Sequence, residues 1–119
     1  MEFKFDNNTP IYIQLVEQIK INIISGKLSP GERLPSVREL ALMTKVNPNT
    51  MQKALAELES SGLIYTERTN GKFVTEDSEL IGKYRSEYAA EAIQKYLAAM
   101  AELGYSRDDA AQFLSREVK

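Results

Sequence analysis

Apolar residues recur at helical spacing near the start of the chain: Tyr12, Leu15, Val16, Ile19 and Ile23 share one stripe of TPIYIQLVEQIKINIISG, which predicts an amphipathic helix. Thr9 is placed to cap it, Pro10 to open its first turn and Gly26 to stop it. KLSPGERLP then turns at Pro-Gly. In SVRELALMTK, Ser36 and Glu39 have the S-x-x-E spacing of a capping box, and Val37, Leu40, Ala41 and Met43 are expected to face a core. VNPNTMQKALAELESSG opens with Asn47 as N-cap and Pro48 at the first helical position, where its missing N–H costs nothing. Met51, Ala54, Leu55 and Leu58 form the buried stripe of that helix, opposite Asn49, Thr50, Gln52, Lys53 and Glu57. After Gly62 the period changes to two: LIYTER alternates Leu63 and Tyr65 against Ile64 and Thr66, Asn70-Gly71 signals a two-residue hairpin turn, and KFVTE returns. From Asp77 a long helix is predicted, with Ala89, Ile93, Tyr96, Met100 and Leu103 stepping by four and three in a coiled-coil-like seam. Gly104 ends it. Ser106 with Asp109 caps a last helix carrying Ala110, Phe113, Leu114 and Val118.

Composition narrows the chemistry. With 119 residues the chain holds one compact domain, or one plus a helical appendage. It has no cysteine, which excludes disulfides, thiolate catalysis and zinc-thiolate sites and suits a reducing cytoplasm. It has no histidine, which removes the usual general base and the commonest metal ligand. No stretch approaches the roughly 18 apolar residues that span a bilayer, and MEFKFDNN does not resemble a signal peptide, so the expected location is the cytoplasm without membrane association. The net charge of −2 taken alone argues against a polyanion as partner. Its distribution matters more: the stretch from Lys27 to Phe73 is mildly basic, whereas the tail from Glu76 is acidic.

Two short helices joined by a tight turn, the second with a polar face at its N-terminus, make a helix-turn-helix arrangement. A recognition helix enters the major groove N-terminus first, so its opening turn must present donors and acceptors to base edges and phosphates. The positive end of the helix dipole favours a phosphate at the same place. Asn49 and Gln52 suit adenine, Lys53 suits a phosphate, and Thr50 suits a phosphate or a thymine methyl. The same Asn-Pro-Asn-Thr would also make a good solvated N-terminus, and Arg38 an ordinary surface arginine. The order of elements argues for DNA: helix, Pro-Gly turn, capped helix, amide-capped helix, strand and hairpin within one short domain.

PGERLPSVRELA, then VNPNTMQKALAELESSGLI, then NGKFV resembles the winged helix-turn-helix of GntR-type bacterial transcription regulators, over roughly residues 9–75. The tail is similar to the compact C-terminal region of the YtrA-like branch. The resemblance implies a mainly α fold with a small β-hairpin wing: a winged helix-turn-helix DNA-binding domain over residues 1–76, then a two-helix dimerisation region over 77–119. It implies backbone contacts for Arg33, a backbone or guanine contact for Arg38 and a phosphate contact for Ser36. Asn47, Asn49 and Thr50 fall at the recognition-helix entrance, and Asn70, Gly71 and Lys72 at the wing tip. Many longer relatives have Arg where this chain has Pro48 and Gln52, which implies a different base-reading code. The common wing pattern Gly-x-Gly-Thr-Phe is here Thr69-Asn70-Gly71-Lys72-Phe73, with Lys72 offering a phosphate contact.

The family implies a homodimer on a pseudo-palindromic double-stranded operator, acting as a repressor. The seam of Ala89, Ile93, Tyr96 and Met100, extended by Tyr84 and Tyr88, is the surface expected to pair with a second copy. Some forty residues of paired helices leave little room for a ligand pocket of several hundred Å³. A small-molecule effector at a dimer interface lined by the tail tyrosines is a further hypothesis. No cofactor or metal is expected, since capping explains Asp108 and Asp109. The competing readings are a protein-interaction adaptor built on the same scaffold with its acidic tail and, less supported, a small enzyme, for which no nucleophile-base pair, glycine-rich phosphate loop or metal cluster is evident.

Overall fold

Helix α1 (Ile11–Ile24) takes the predicted stripe inward: Leu15, Val16, Ile19 and Ile23 are buried, joined by Ile24. In the computed structural model, which describes residues 1–118, six further elements follow: α2 (Val37–Thr44), α3 (Pro48–Ser60), β1 (Ile64–Glu67), β2 (Gly71–Val74), α4 (Ser78–Glu102) and α5 (Arg107–Glu117). The fold is thus mainly helical with one antiparallel hairpin. It divides into two compact units, Met1–Lys83 and the remainder from Tyr84.

In the first unit α3 packs against α1, α2 and β1. Its stripe of Met51, Ala54, Leu55 and Leu58 is fully buried and meets Leu15, Ile19, Leu40, Leu63 and Val74 in one core. Each such aliphatic side chain contributes about 1.5–3 kcal/mol on burial. Ile81, in the first turns of α4, is also buried in this unit. Both boundaries of the helix-turn-helix are set by local chemistry. Ser36 and Glu39 form the full capping box: Ser36 Oγ accepts from the Glu39 N–H at 3.1 Å, and the Ser36 N–H donates to Glu39 Oε1 at 3.2 Å. Asn47 caps α3 by accepting from the Asn49 N–H at 2.8 Å, with Pro48 behind it. Between them Lys45 ends α2 in the left-handed region at φ 58°, the one non-glycine residue with positive φ among those described.

Several expectations are corrected. Thr9 does not cap α1; Pro10 occupies the N-cap and no side chain bonds there. The Thr9 carbonyl instead accepts from Gln14 Nε2 at 2.6 Å. The side chain of Gln14 also donates to and accepts from the backbone of Asp6, and that of Gln18 does the same with Lys4. Two amides one helical turn apart thus hold residues 4–6 along α1 as a sheet edge would. Met43 is not core but 54% exposed, because an eight-residue helix has one inward stripe, and Leu40 with Ala41 fills it. Leu63 and Ile64 do not alternate; both are buried, since Leu63 precedes the strand and closes the end of α3.

The hairpin turn also differs. Glu67 pairs with Gly71, so the loop is Arg68-Thr69-Asn70, three residues, and Gly71 rather than Asn70 takes the positive φ of 104°. A further edge joins β2 from outside the hairpin: the Val74 N–H donates to the Glu32 carbonyl at 2.9 Å and the Leu34 N–H to the Lys72 carbonyl at 2.8 Å. The Pro30-Gly31 turn, closed by the Glu32 N–H to the Ser29 carbonyl at 3.0 Å, delivers that segment.

The second unit comprises the rest of α4 and α5. Gly104 (φ 92°) ends α4, and Ser106 with Asp109 forms the expected capping box at the start of α5. Tyr96 Oη donates to the Ala110 carbonyl at 2.6 Å, and Ala110 is buried. Tyr105 and Phe113 meet edge to face at 4.9 Å.

Candidate nucleic-acid interface

The first two turns of α3 carry no acidic side chain. Asn49, Gln52 and Lys53 are exposed there and Thr50 half-exposed, while Glu57 and Glu59 are confined to the C-terminal half. The Asn47 side-chain oxygen is engaged in the cap, so only its amide nitrogen remains to donate outward. Pro48 brings no N–H and the Asn49 N–H serves the cap, so it is the side-chain donors and the helix dipole that suit the tip of α3 to an anion or to base edges. Lys53 rests over the Tyr12 ring at 4.7 Å, and a hydrogen bond with Glu57 pushes the Tyr12 phenol above its ordinary value. The lysine therefore starts from a cation-π contact across α1 and α3.

At the start of α2 the Ser36 oxygen accepts within the capping box, and its hydroxyl faces the Glu39 carboxyl. The backbone N–H of Ser36, then its hydroxyl, hold the Glu39 carboxyl below the usual range, and Arg33 adds to this. Arg38 is exposed and has no hydrogen-bond or ion-pair partner among the described residues.

Arg33 lies between this helix start and the wing. A β-carbon on Gly71 would stand 3.3 Å from Arg33 Nε, so the bare glycine is what lets the guanidinium lie across the wing backbone. The structure thus brings Arg33 and Gly71 together, which spacing in the sequence did not suggest. Asn70 folds back, its Nδ2 donating to Glu67 Oε2 at 3.0 Å. Lys72 is not free: its Nζ donates to Thr66 Oγ1 at 2.9 Å and pairs with Glu59 Oε2 at 3.5 Å. Two exposed cations were missing from the sequence-based set. Arg68 sits in the three-residue wing loop, and Lys45 in the turn of the helix-turn-helix. A correct count of the hairpin loop was the signal for Arg68.

The tail residues Tyr84 and Tyr88 are half-buried, Ala89 and Ile93 exposed, and Tyr96 and Met100 half-buried. Ala92, Ile93, Tyr96, Leu97, Arg107, Ala111 and Leu114 line an open, largely apolar groove of about 470 Å³ between α4 and α5. Among the described residues no helix is long and apolar enough to cross a membrane, and no group of three or more Asp or Glu is placed to hold a metal.

Comparison with known proteins places this arrangement. The profile of the family described as "Bacterial regulatory proteins, gntR family" matches residues 11–74. The chain is 37% identical over 109 residues to the uncharacterized HTH-type transcriptional regulator YhcF of Bacillus subtilis, covering 92% of this chain and 90% of that protein. It is 46% identical over 72 residues to the HTH-type transcriptional repressor YtrA of the same organism, covering 60% and 55%. Among solved structures, a GntR family transcriptional regulator from Listeria monocytogenes superposes with a TM-score of 0.85 at 38% identity, over 94% of this chain and 98% of that one. The DNA-binding domain of AraR in complex with operator ORX1 superposes with a TM-score of 0.57 at 32% identity, over 63% and 96%.

Proposed function

Proceeding from the gntR family of bacterial regulatory proteins, to which this chain belongs, we propose that it is a homodimeric repressor that reads a pseudo-palindromic duplex operator with the amide-rich end of α3. The observation that carries this reading is the asymmetry of α3: donors at its N-terminal tip, acids only behind them, and the tip's side chains open to solvent. The likeness to YtrA, named a repressor, and to the AraR domain bound to its operator supports it.

In this reading residues 1–76 bind DNA and residues 77–119 dimerise. Asn49, Thr50 and Gln52 meet base edges in the major groove. Asn47, Ser36 and Lys53 donate to phosphates, Lys53 after leaving the Tyr12 ring. Arg38 reads a base, guanine by preference, because a guanidinium matches its O6 and N7 with two parallel bonds. Arg33 with Asn70, Gly71 and Lys72 serves the wing. Pairing through Tyr84, Tyr88, Ala89, Ile93, Tyr96 and Met100 covers the exposed apolar face of α4 and sets two recognition helices about 34 Å apart, one turn of DNA. An effector acting through this interface would work by changing that spacing. The working place is the cytoplasm, where the duplex is.

The test is binding to the DNA upstream of the protein's own gene, measured against unrelated duplexes across a salt series. Specific binding that weakens steeply with salt is expected, and Arg38→Ala should cost about 1–3 kcal/mol there and relax preference at one base position. Equally weak binding to every duplex removes the proposal.

A further inference from the structure

Beyond the helix caps, one closed hydrogen-bonded cluster links elements distant in sequence. Glu59 stands in the last turn of α3, about three turns from the tip that Asn47 caps. One of its carboxylate oxygens accepts the Thr66 hydroxyl proton. The other lies 3.5 Å from Lys72 Nζ, which itself donates to Thr66 Oγ1 at 2.9 Å. Thr66 and Lys72 are partners across β1 and β2, so the cluster grips both strands of the wing at once. It is also partly sheltered, with the side chains of Lys72 and Glu59 22% and 37% exposed. At the root of the wing the backbone is fixed by the Leu63 N–H to the Leu58 carbonyl. Farther out, this side-chain triangle is what joins the wing to α3.

We infer that Glu59 is a positioning residue for DNA binding: through Thr66 and Lys72 it sets the pitch of the wing against the recognition helix, and Lys72 serves that tie rather than a phosphate. The inference rests on the DNA-binding reading above. The chemistry suits a permanent strut. Thr66 donates to one partner and accepts from the other, so its hydroxyl is used in both senses. The Thr66 hydroxyl, and Lys72 beside it, hold the Glu59 carboxyl below its ordinary range, which keeps it charged at neutral pH. Two of the three Lys72 N–H donors are engaged in the triangle, whereas Arg68 at the loop tip has none engaged that the structure shows among the described residues.

The experiment has two arms. In the DNA-free protein, Glu59→Gln, Lys72→Met and Thr66→Val should each speed amide exchange across the wing strands while leaving α1 protected; unchanged wing protection in all three overturns the inference whatever the protein does with DNA. In the second arm the probe is a duplex selected by the wild-type protein from a random-sequence pool. Lys72→Met should weaken binding about three- to tenfold with an unchanged salt slope. A slope lower by about one unit makes Lys72 a phosphate contact and overturns it. The reciprocal exchange, Glu59→Lys with Lys72→Glu, keeps the triangle and should recover most of the affinity, since Thr66 can serve either order. A doubly exchanged protein that binds worse than either single variant overturns the inference, because a carboxylate would then be facing phosphate. If the wild type selects no duplex, the DNA-binding proposal fails, and the exchange arm still decides the strut.

Discussion

The winged unit and the helical unit from Tyr84 onward bury apolar surface to very different degrees. In the first, Leu15, Ile19, Leu40, Met51, Leu55, Leu58 and Leu63 are all inaccessible to solvent. In the second, Ala110 alone among the described residues is buried, while Ile93, Leu103 and Leu114 are 53%, 72% and 49% exposed. The first has a core of its own. The second holds together through caps, the Tyr96 hydroxyl on the Ala110 carbonyl and an aromatic pair, and leaves an apolar seam open to solvent. On the proposed reading, the unit that meets DNA has a core of its own, and the pairing of two copies depends on a separate, exposed surface.

Disrupting the first core should give the largest effect. Leu55→Ala is expected to cost about 2–5 kcal/mol of unfolding free energy, through lost burial and the cavity left at the centre of α3. Denaturant unfolding followed by circular dichroism measures it; a loss below half a kcal/mol would mean that α3 is not the keystone of this unit. Next in size, Ile93→Glu should raise the dissociation constant of the proposed dimer about a hundredfold by placing a charge in an apolar seam. Sedimentation over a concentration series reads this, and the amide protection of α1 and α3 should be unchanged. An unaltered dimer, or no dimer in the wild type, would remove the seam from the interface.

A smaller effect is expected at the turn of the helix-turn-helix. Lys45 has a β-carbon in a left-handed conformation, so Lys45→Gly should stabilise the winged unit by about 1 kcal/mol through relief of strain, less the backbone freedom that glycine adds to the unfolded chain. Thermal unfolding decides between gain and loss; a loss would show that the lysine side chain makes a contact of its own. The smallest concerns the box at the start of α2. The Glu39 carboxyl is held below its ordinary value when folded, so its contribution is fully present above the ordinary glutamate range and disappears as the pH falls through the lowered value. Glu39→Gln should therefore lower stability slightly at neutral pH, with the difference from wild type closing as the pH falls through the lowered value, so that the acid side of the profile is flatter. Parallel acid limbs in the variant and the wild type would contradict this.

What could be read along the chain was what depends on neighbours a few residues apart. Both capping boxes, the Asn47 cap with Pro48 and the buried stripe of α3 follow from spacings within one or two turns. The errors lie where distant groups compete for the same backbone. Thr9 has the composition of a cap, yet Pro10 holds that position, and the amides of Gln14 and Gln18 lay residues 4–6 along α1, a pairing no local pattern announces. Asn70-Gly71 has the composition of a two-residue turn, but the register that pairs Glu67 with Gly71 lengthens the loop by one and brings Arg68 into it. For the candidate site, the polar tip of α3 was legible from its amides. The engagement of Lys72 with Glu59 across thirteen residues was not, and neither was the approach of Arg33 to Gly71.

That last approach bears on how the molecule can be altered. A β-carbon at position 71 would press on the guanidinium at 3.3 Å from Arg33 Nε, and the backbone there has the handedness that L-residues resist. Positions 33 and 71 are therefore best altered together. A wing carrying a larger residue at position 71 would have to displace the Arg33 guanidinium and hold a backbone conformation that L-residues resist.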